Sequence, residues 1–185
     1  MKKHWLLIII LCLVKLGIHL VGNGNYGFHR DEFLHLSAGD HLAWGYMEFP
    51  PLVAFIARIA TTIFDTQLAG IRLFPTMAGI AILILCCRMA EEMGGKKRSV
   101  LIAGICILGF IPFYRNHLLF QPVAFDQLLW TLGFYYLIRY INTQSPKYLL
   151  LLGAVAGLGM MNKFTMVVWI AAIIAGLLFY QRAKE

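Results

Sequence analysis

The 185 residues are 60% hydrophobic and 14% charged with a formal net charge of +7, and the mean hydropathy is +0.73. Soluble domains are roughly 45–50% apolar, so water is not the main solvent of this fold, and a large soluble domain does not fit beside several membrane spans. The basic residues fall in short clusters between apolar runs and form no stripe or tail, which argues against a nucleic-acid surface and suits membrane topology.

The chain opens with a basic start, Lys2 and Lys3, followed by an apolar run over 5–21. It resembles a signal peptide, but no small-residue cleavage site follows, so an uncleaved membrane anchor is expected. Gly22, Asn23, Gly24 and Asn25 break it. The stretch 26–66 is too charged to cross lipid. Within it, Phe33, Leu34, Leu36, Leu42 and Trp44 predict an amphipathic helix from Asp31 and Glu32 to a stop at Gly45. Pro50 and Pro51 predict a second helix over 52–64. Both suit an interface, where a helix satisfies its own backbone groups without crossing lipid.

Apolar runs resume over 68–89, 100–114, 127–141, 148–161 and 164–180. Only Asn162 and Lys163 separate the last two, which predicts a tight helical hairpin, because together they exceed the ~20 residues one span requires. The expected fold class is therefore all-α: a polytopic membrane helical bundle of about five or six spans. The expected organisation is a single membrane domain over 1–185, with a first span at 5–21, an outer loop at 26–66 and the remaining spans at 67–181.

Alternating spans place ten of the sixteen basic residues on the side of the N-terminus, among them Arg88, Lys96, Lys97, Arg98, Arg139 and Lys147. Asp31, Glu32, Asp40, Glu48, Asp65 and Asp126 fall on the other side. The positive-inside rule then predicts a cytoplasmic N-terminus and an extracytoplasmic 26–66 loop in an inner (plasma) membrane.

The strongest chemical signal is the run from His29 to His35. Asp31, Glu32 and His35 share a helix start, where the backbone dipole favours negative charge and neighbours four residues apart converge. Such a group can hold a divalent metal ion, can supply a base for an acceptor hydroxyl, or can simply cap the helix. Asp126 falls at the outer end of a span, at the depth expected for Asp31, where an acid is costly unless it caps or serves a site. Lys163 at the same boundary either snorkels to headgroups or meets a lipid phosphate, and Arg58 and Arg72 face the same choice. Glu48, just before the proline pair, either joins the acidic site or stays on the loop surface. Gly153, Gly157 and Gly159 predict close helix packing, and Cys12, Cys86, Cys87 and Cys106 read as buried apolar residues.

Three ordered blocks carry a family resemblance. The run from Phe28 to Phe33, with Ala43 to Tyr46, Pro50 to Leu52 and Arg58, is similar to the first outer loop of lipid-dependent GT-C glycosyltransferases. The run from Phe125 to Trp130 and the run from Gly157 to Thr165 resemble that family's next landmarks. The branch is the one containing protein O-mannosyltransferases, the aminoarabinose transferase of lipid A and RgtA/B/C/D-like enzymes. The resemblance implies transfer of a sugar from a polyprenyl-phosphate carrier to a glycan, lipid or protein acceptor outside the cytoplasm. It assigns Asp31 as the loop acid, base or metal-site residue, with Glu32 beside it and Glu48 as a weaker carry-over. Asp126 becomes a second cavity acid, and Lys163 the lysine that meets the carrier phosphate. It leaves a divalent metal optional. Family members are longer, so the chain is expected to be the N-terminal portion of a larger architecture or to need a partner chain for the rest.

Overall fold

The computed structural model describes residues 4–24 and 26–182, with side chains through Phe179. The expectations that rest on Lys2, Lys3, Asn25 and Lys184 lie outside the described residues. Nine helices occur among them and no strand: α1 (Trp5–Gly22), α2 (Arg30–Asp40), α3 (Leu52–Phe64), α4 (Leu68–Glu92), α5 (Lys97–Gly109), α6 (Ile111–Asn116), α7 (Pro122–Thr143), α8 (Pro146–Asn162) and α9 (Met166–Arg182).

Two of these, α1 and α4, are long and apolar enough to cross a membrane. At ~1.5 Å per residue they reach roughly 27 and 37 Å, against a hydrocarbon core of about 30 Å. α4 is the inner of the two. It packs on α1, α3, α5 and α7, while α7 packs on α8, and α2 on α3. The helix expected over 100–114 is instead two: α5 stops at Gly109, Phe110 is extended, and α6 restarts with Pro112 in its first turn. Proline has no N–H to give the preceding turn, so a break is cheaper there than a continuous helix.

Local chemistry sets several boundaries. Pro122 and Pro146 sit in the first turns of α7 and α8, where a missing N–H removes no helical bond. α3 starts where the proline pair predicts. α2 ends at Asp40, not near Gly45. The cause is Tyr46, whose hydroxyl shares its one proton between the carbonyls of Ala38 (2.9 Å) and His41 (3.0 Å) and accepts from the N–H of Ala43 (3.2 Å), folding the chain into a compact loop.

Two of the three glycines of α8 do not pack as expected. A methyl group at Gly153 or Gly157 would meet open space, and only Gly159 is closed, by Met166. That contact seats the start of α9 against the last full turn of α8, with Lys163 extended between them. Trp169 of α9 then lies over Gly133 of α7, where any side chain would overlap its ring.

The two ends of α4 are held by different polar networks. Near its end, Arg88 pairs with Glu91 and Glu92, and Arg139 of α7 reaches Glu92 (2.6 Å) and the Tyr148 hydroxyl (2.7 Å). Near its start lies Arg72, around which the candidate site is built. The four cysteines are free, and Cys106 is exposed.

Candidate functional site

α2 begins with a reciprocal cap in which a histidine takes the place usually held by serine or threonine. His29 Nδ1 accepts from the N–H of Asp31 (3.2 Å), and the His29 N–H donates to Glu32 Oε2 (2.8 Å). This arrangement turns Glu32 inward. It is fully buried and faces Arg72, which is 1% exposed.

All five N–H donors of Arg72 are used. Nε and Nη2 reach the two Glu32 carboxylate oxygens (3.1 and 2.8 Å), Nη1 the carbonyls of Asn23 and Tyr26 (both 3.0 Å), and Nη2 also the carbonyl of Gly27 (2.8 Å). Glu32 Oε1 accepts a further bond from the N–H of Phe120 (2.9 Å). A buried charge pair is stable only when the remaining donors and lone pairs are satisfied in this way. The geometry therefore corrects two expectations. Arg72 has no free donor for a carrier phosphate, and Glu32 has no free oxygen for a metal. Together they clamp the end of α1, the start of α2, α4 and the segment before α7.

Asp31 lies about 100° further round the helix from its neighbour and is partly exposed. Its Oδ2 accepts from Gln121 Nε2 (3.1 Å), and its Oδ1 lies 3.4 Å from Arg30 Nε. It lines a cavity of about 500 Å³ whose wall also includes His35, Glu48, Asn162, Lys163 and Thr165. The sequence-predicted residues Asp31, His35, Glu48 and Lys163 are thus brought together from α2, the loop before α3, and the turn after α8. Burial lowers the His35 pKa, opposed by the nearby Asp31 charge, so the imidazole is neutral near pH 7 and Lys163 supplies the cation of this wall.

Asp126 stands one layer behind. Its Oδ2 accepts from Thr165 Oγ1 (3.3 Å), which makes the acid a brace for the 163–165 turn. Arg58 is not brought in: it is exposed and pairs with Asp40 at 3.4 Å. Sequence reasoning gave no role to Gln121 or Thr165, because an uncharged polar side chain in a loop carries no signal until its partner is known.

A second cavity, of about 390 Å³, is lined by Leu42, Trp44, Pro51, Leu52, Phe55 and Met161. It is almost wholly apolar. Its Pro51 and Met161 adjoin Pro50 and Asn162 of the first, so the two cavities are neighbours.

The possible divalent metal can be tested against these donors. Among the described residues no three His, Cys, Asp or Glu groups converge as a ligand set, and Glu32 is consumed by Arg72. The acids and histidine do not fit a metal as they stand, and the chemistry below uses none.

A family model described as dolichyl-phosphate-mannose-protein mannosyltransferase matches residues 48–185. The match includes Glu48, Asp126 and Lys163, with Asp31 and His35 lying before it. An uncharacterized protein of Aquifex aeolicus (strain VF5) is 26% identical over 167 residues, 84% of this chain and 33% of the relative. The chain therefore spans about one third of the length of that relative. No solved structure matches. A family match over well over half of the sequence, on an all-helical chain with apolar helices of membrane length, means that this membrane protein belongs to the dolichyl-phosphate-mannose-protein mannosyltransferase family of GT-C glycosyltransferases.

Proposed function

We propose that the chain forms the carrier-binding and acidic part of a glycosyltransferase that moves a sugar from a polyprenyl phosphate to an acceptor hydroxyl on the extracytoplasmic side of the inner membrane. The observation that carries this reading is that Asp31 and Lys163, far apart in sequence, wall one cavity that carries opposite charges beside an almost wholly apolar one. A polyprenyl-phosphate sugar is amphipathic in the same sense: its tail needs an apolar surface, its phosphate a cation, and its sugar a polar space.

In this reading Asp31 removes the proton from the acceptor hydroxyl. The freed oxygen attacks the anomeric carbon as the bond from that carbon to the phosphate oxygen breaks, which inverts the sugar. The electron pair leaves with the polyprenyl phosphate, whose developing charge the Lys163 ammonium stabilises. Asp126 holds the turn that carries Lys163.

Charge supports the sidedness. Arg88 and Arg139, with the exposed Lys96, Lys97 and Arg98 nearby in sequence, sit at the end of α4 away from Arg72. The separation from residue 72 to 88 is about 24 Å at ~1.5 Å per residue. Basic residues favour the cytoplasmic face, which supports an outer-leaflet cavity, a multi-pass arrangement and a cytoplasmic N-terminus.

The test is to incubate the whole natural polypeptide in nanodiscs with undecaprenyl-phosphate-linked mannose and aminoarabinose and to measure released undecaprenyl phosphate by mass spectrometry. Release from one or both is expected. Retention of the carrier without release would favour a second reading, a carrier-binding subunit without turnover. Neither release nor retention would overturn both.

A further inference from the structure

The three residues that precede and open α7 bond to three separate parts of the site. The Phe120 N–H donates to Glu32 Oε1 (2.9 Å), Gln121 Nε2 donates to Asp31 Oδ2 (3.1 Å), and the Pro122 carbonyl accepts from Asn162 Nδ2 (3.0 Å). One short stretch of chain therefore touches both acids at the start of α2 and the residue next to Lys163. Phe120 is fully buried and stacks edge-on against Phe74 and Phe125, so the backbone that launches the Gln121 side chain is anchored on both sides.

Asp31 needs such an anchor. Its other polar contacts are loose: Arg30 Nε at 3.4 Å is on a side chain 92% exposed, and His29 Nδ1 stands 3.7 Å away. Without the Gln121 bond, the carboxylate can turn about its side-chain torsions. With it, Oδ2 is held, and Oδ1, which meets only the long 3.4 Å contact from the exposed Arg30, is the oxygen offered to a proton. The partner's neutrality matters too. An amide orients a carboxylate while a lysine or arginine in its place would hold it as an ion pair and weaken it as a base.

We propose that Gln121 is a positioning residue that sets the orientation of the Asp31 carboxylate and acts on transfer only through it. This inference rests on the transferase reading above and adds to it a residue outside the charged set. Misplacement of a reacting group by about 1 Å costs on the order of 100-fold in rate, so loss of a single orienting bond is expected to lower kcat by roughly 10- to 100-fold.

The experiment compares wild type with Gln121→Met, which keeps side-chain length without the donor, and Gln121→Glu, which keeps the shape and sets a second carboxylate against Asp31. Both are measured in the whole natural polypeptide with an undecaprenyl-phosphate-linked sugar that the wild type turns over. The expected result is a reduced kcat, lower for Glu than for Met, with the carrier-sugar KM and the thermal midpoint unchanged. A wild-type kcat in Gln121→Met, or a raised KM at unchanged kcat, overturns the proposal. Should the methionine variant fail to fold, the isosteric glutamate variant decides. If wild type shows no transfer at all, that result counts against the transferase reading alone. The contact itself is then read from the carboxyl carbon-13 resonance of Asp31, which must shift in Gln121→Glu, and an unshifted resonance overturns the proposal.

Discussion

Replacing Arg72 with methionine is expected to destabilise the protein by about 3–5 kcal/mol, the range for breaking a buried ion pair from one side. Glu32 would be left as a carboxylate with no exposure, and the carbonyls of Asn23, Tyr26 and Gly27 would lose their donor. Arg72→Lys should recover little, because three donors on one nitrogen cannot span five acceptors spread over a planar fork. The double variant Arg72→Met with Glu32→Met should recover part of the loss by removing the stranded charge. It should not recover all of it, since the N–H groups of His29 and Phe120 also bond to Glu32. Thermal midpoints of the wild type and these three variants in detergent check this order. An Arg72→Met midpoint equal to wild type would mean that the clamp does not hold these segments together.

The second large effect is on rate. Asp31→Asn is expected to lower transfer by roughly 10²- to 10⁴-fold, the span attributed to a positioned general base, while the thermal midpoint stays at the wild-type value. The separation of the two effects follows from geometry. Asparagine keeps an oxygen for Gln121 Nε2, and the Asp31 side chain is 40% exposed, so no buried partner is stranded. Asp126→Asn should act more weakly, because that side chain braces the 163–165 turn through Thr165 and does not line the cavity. Transfer measured at saturating carrier separates these outcomes, and an active Asp31→Asn would remove the proposed base.

Asp31 and Glu32 illustrate how far the sequence could be read. They are adjacent carboxylates in one acidic run, and composition treats them alike. A helix start was legible there, because capping chemistry is local. Which acid turned inward was not, because that depends on Arg72, forty residues along the chain. The same limit explains the arginines. Arg58 and Arg72 offered the same choice between anchor and phosphate ligand, yet one ended on the surface beside Asp40 and the other fully buried against Glu32. The start of α3 was legible in Pro50 and Pro51. The end of α2 was not, since it is decided by a tyrosine hydroxyl from outside the helix. The break between α5 and α6 had a local signal in Pro112, which the apolar run over 100–114 concealed.

Lys163 and Arg58 provide the most direct test of the central claim, that one cavity gathers a cation and an acid for a lipid-linked phosphate. Native mass spectrometry of the protein released from nanodiscs containing undecaprenyl phosphate would measure the lipid retained by wild type, Lys163→Met and Arg58→Met. A hydrogen bond to a charged group contributes about 1.5–3 kcal/mol, so Lys163→Met should weaken retention by roughly 10- to 100-fold, with Arg58→Met at the wild-type level. Retention lost with Arg58 and kept without Lys163 would contradict the account.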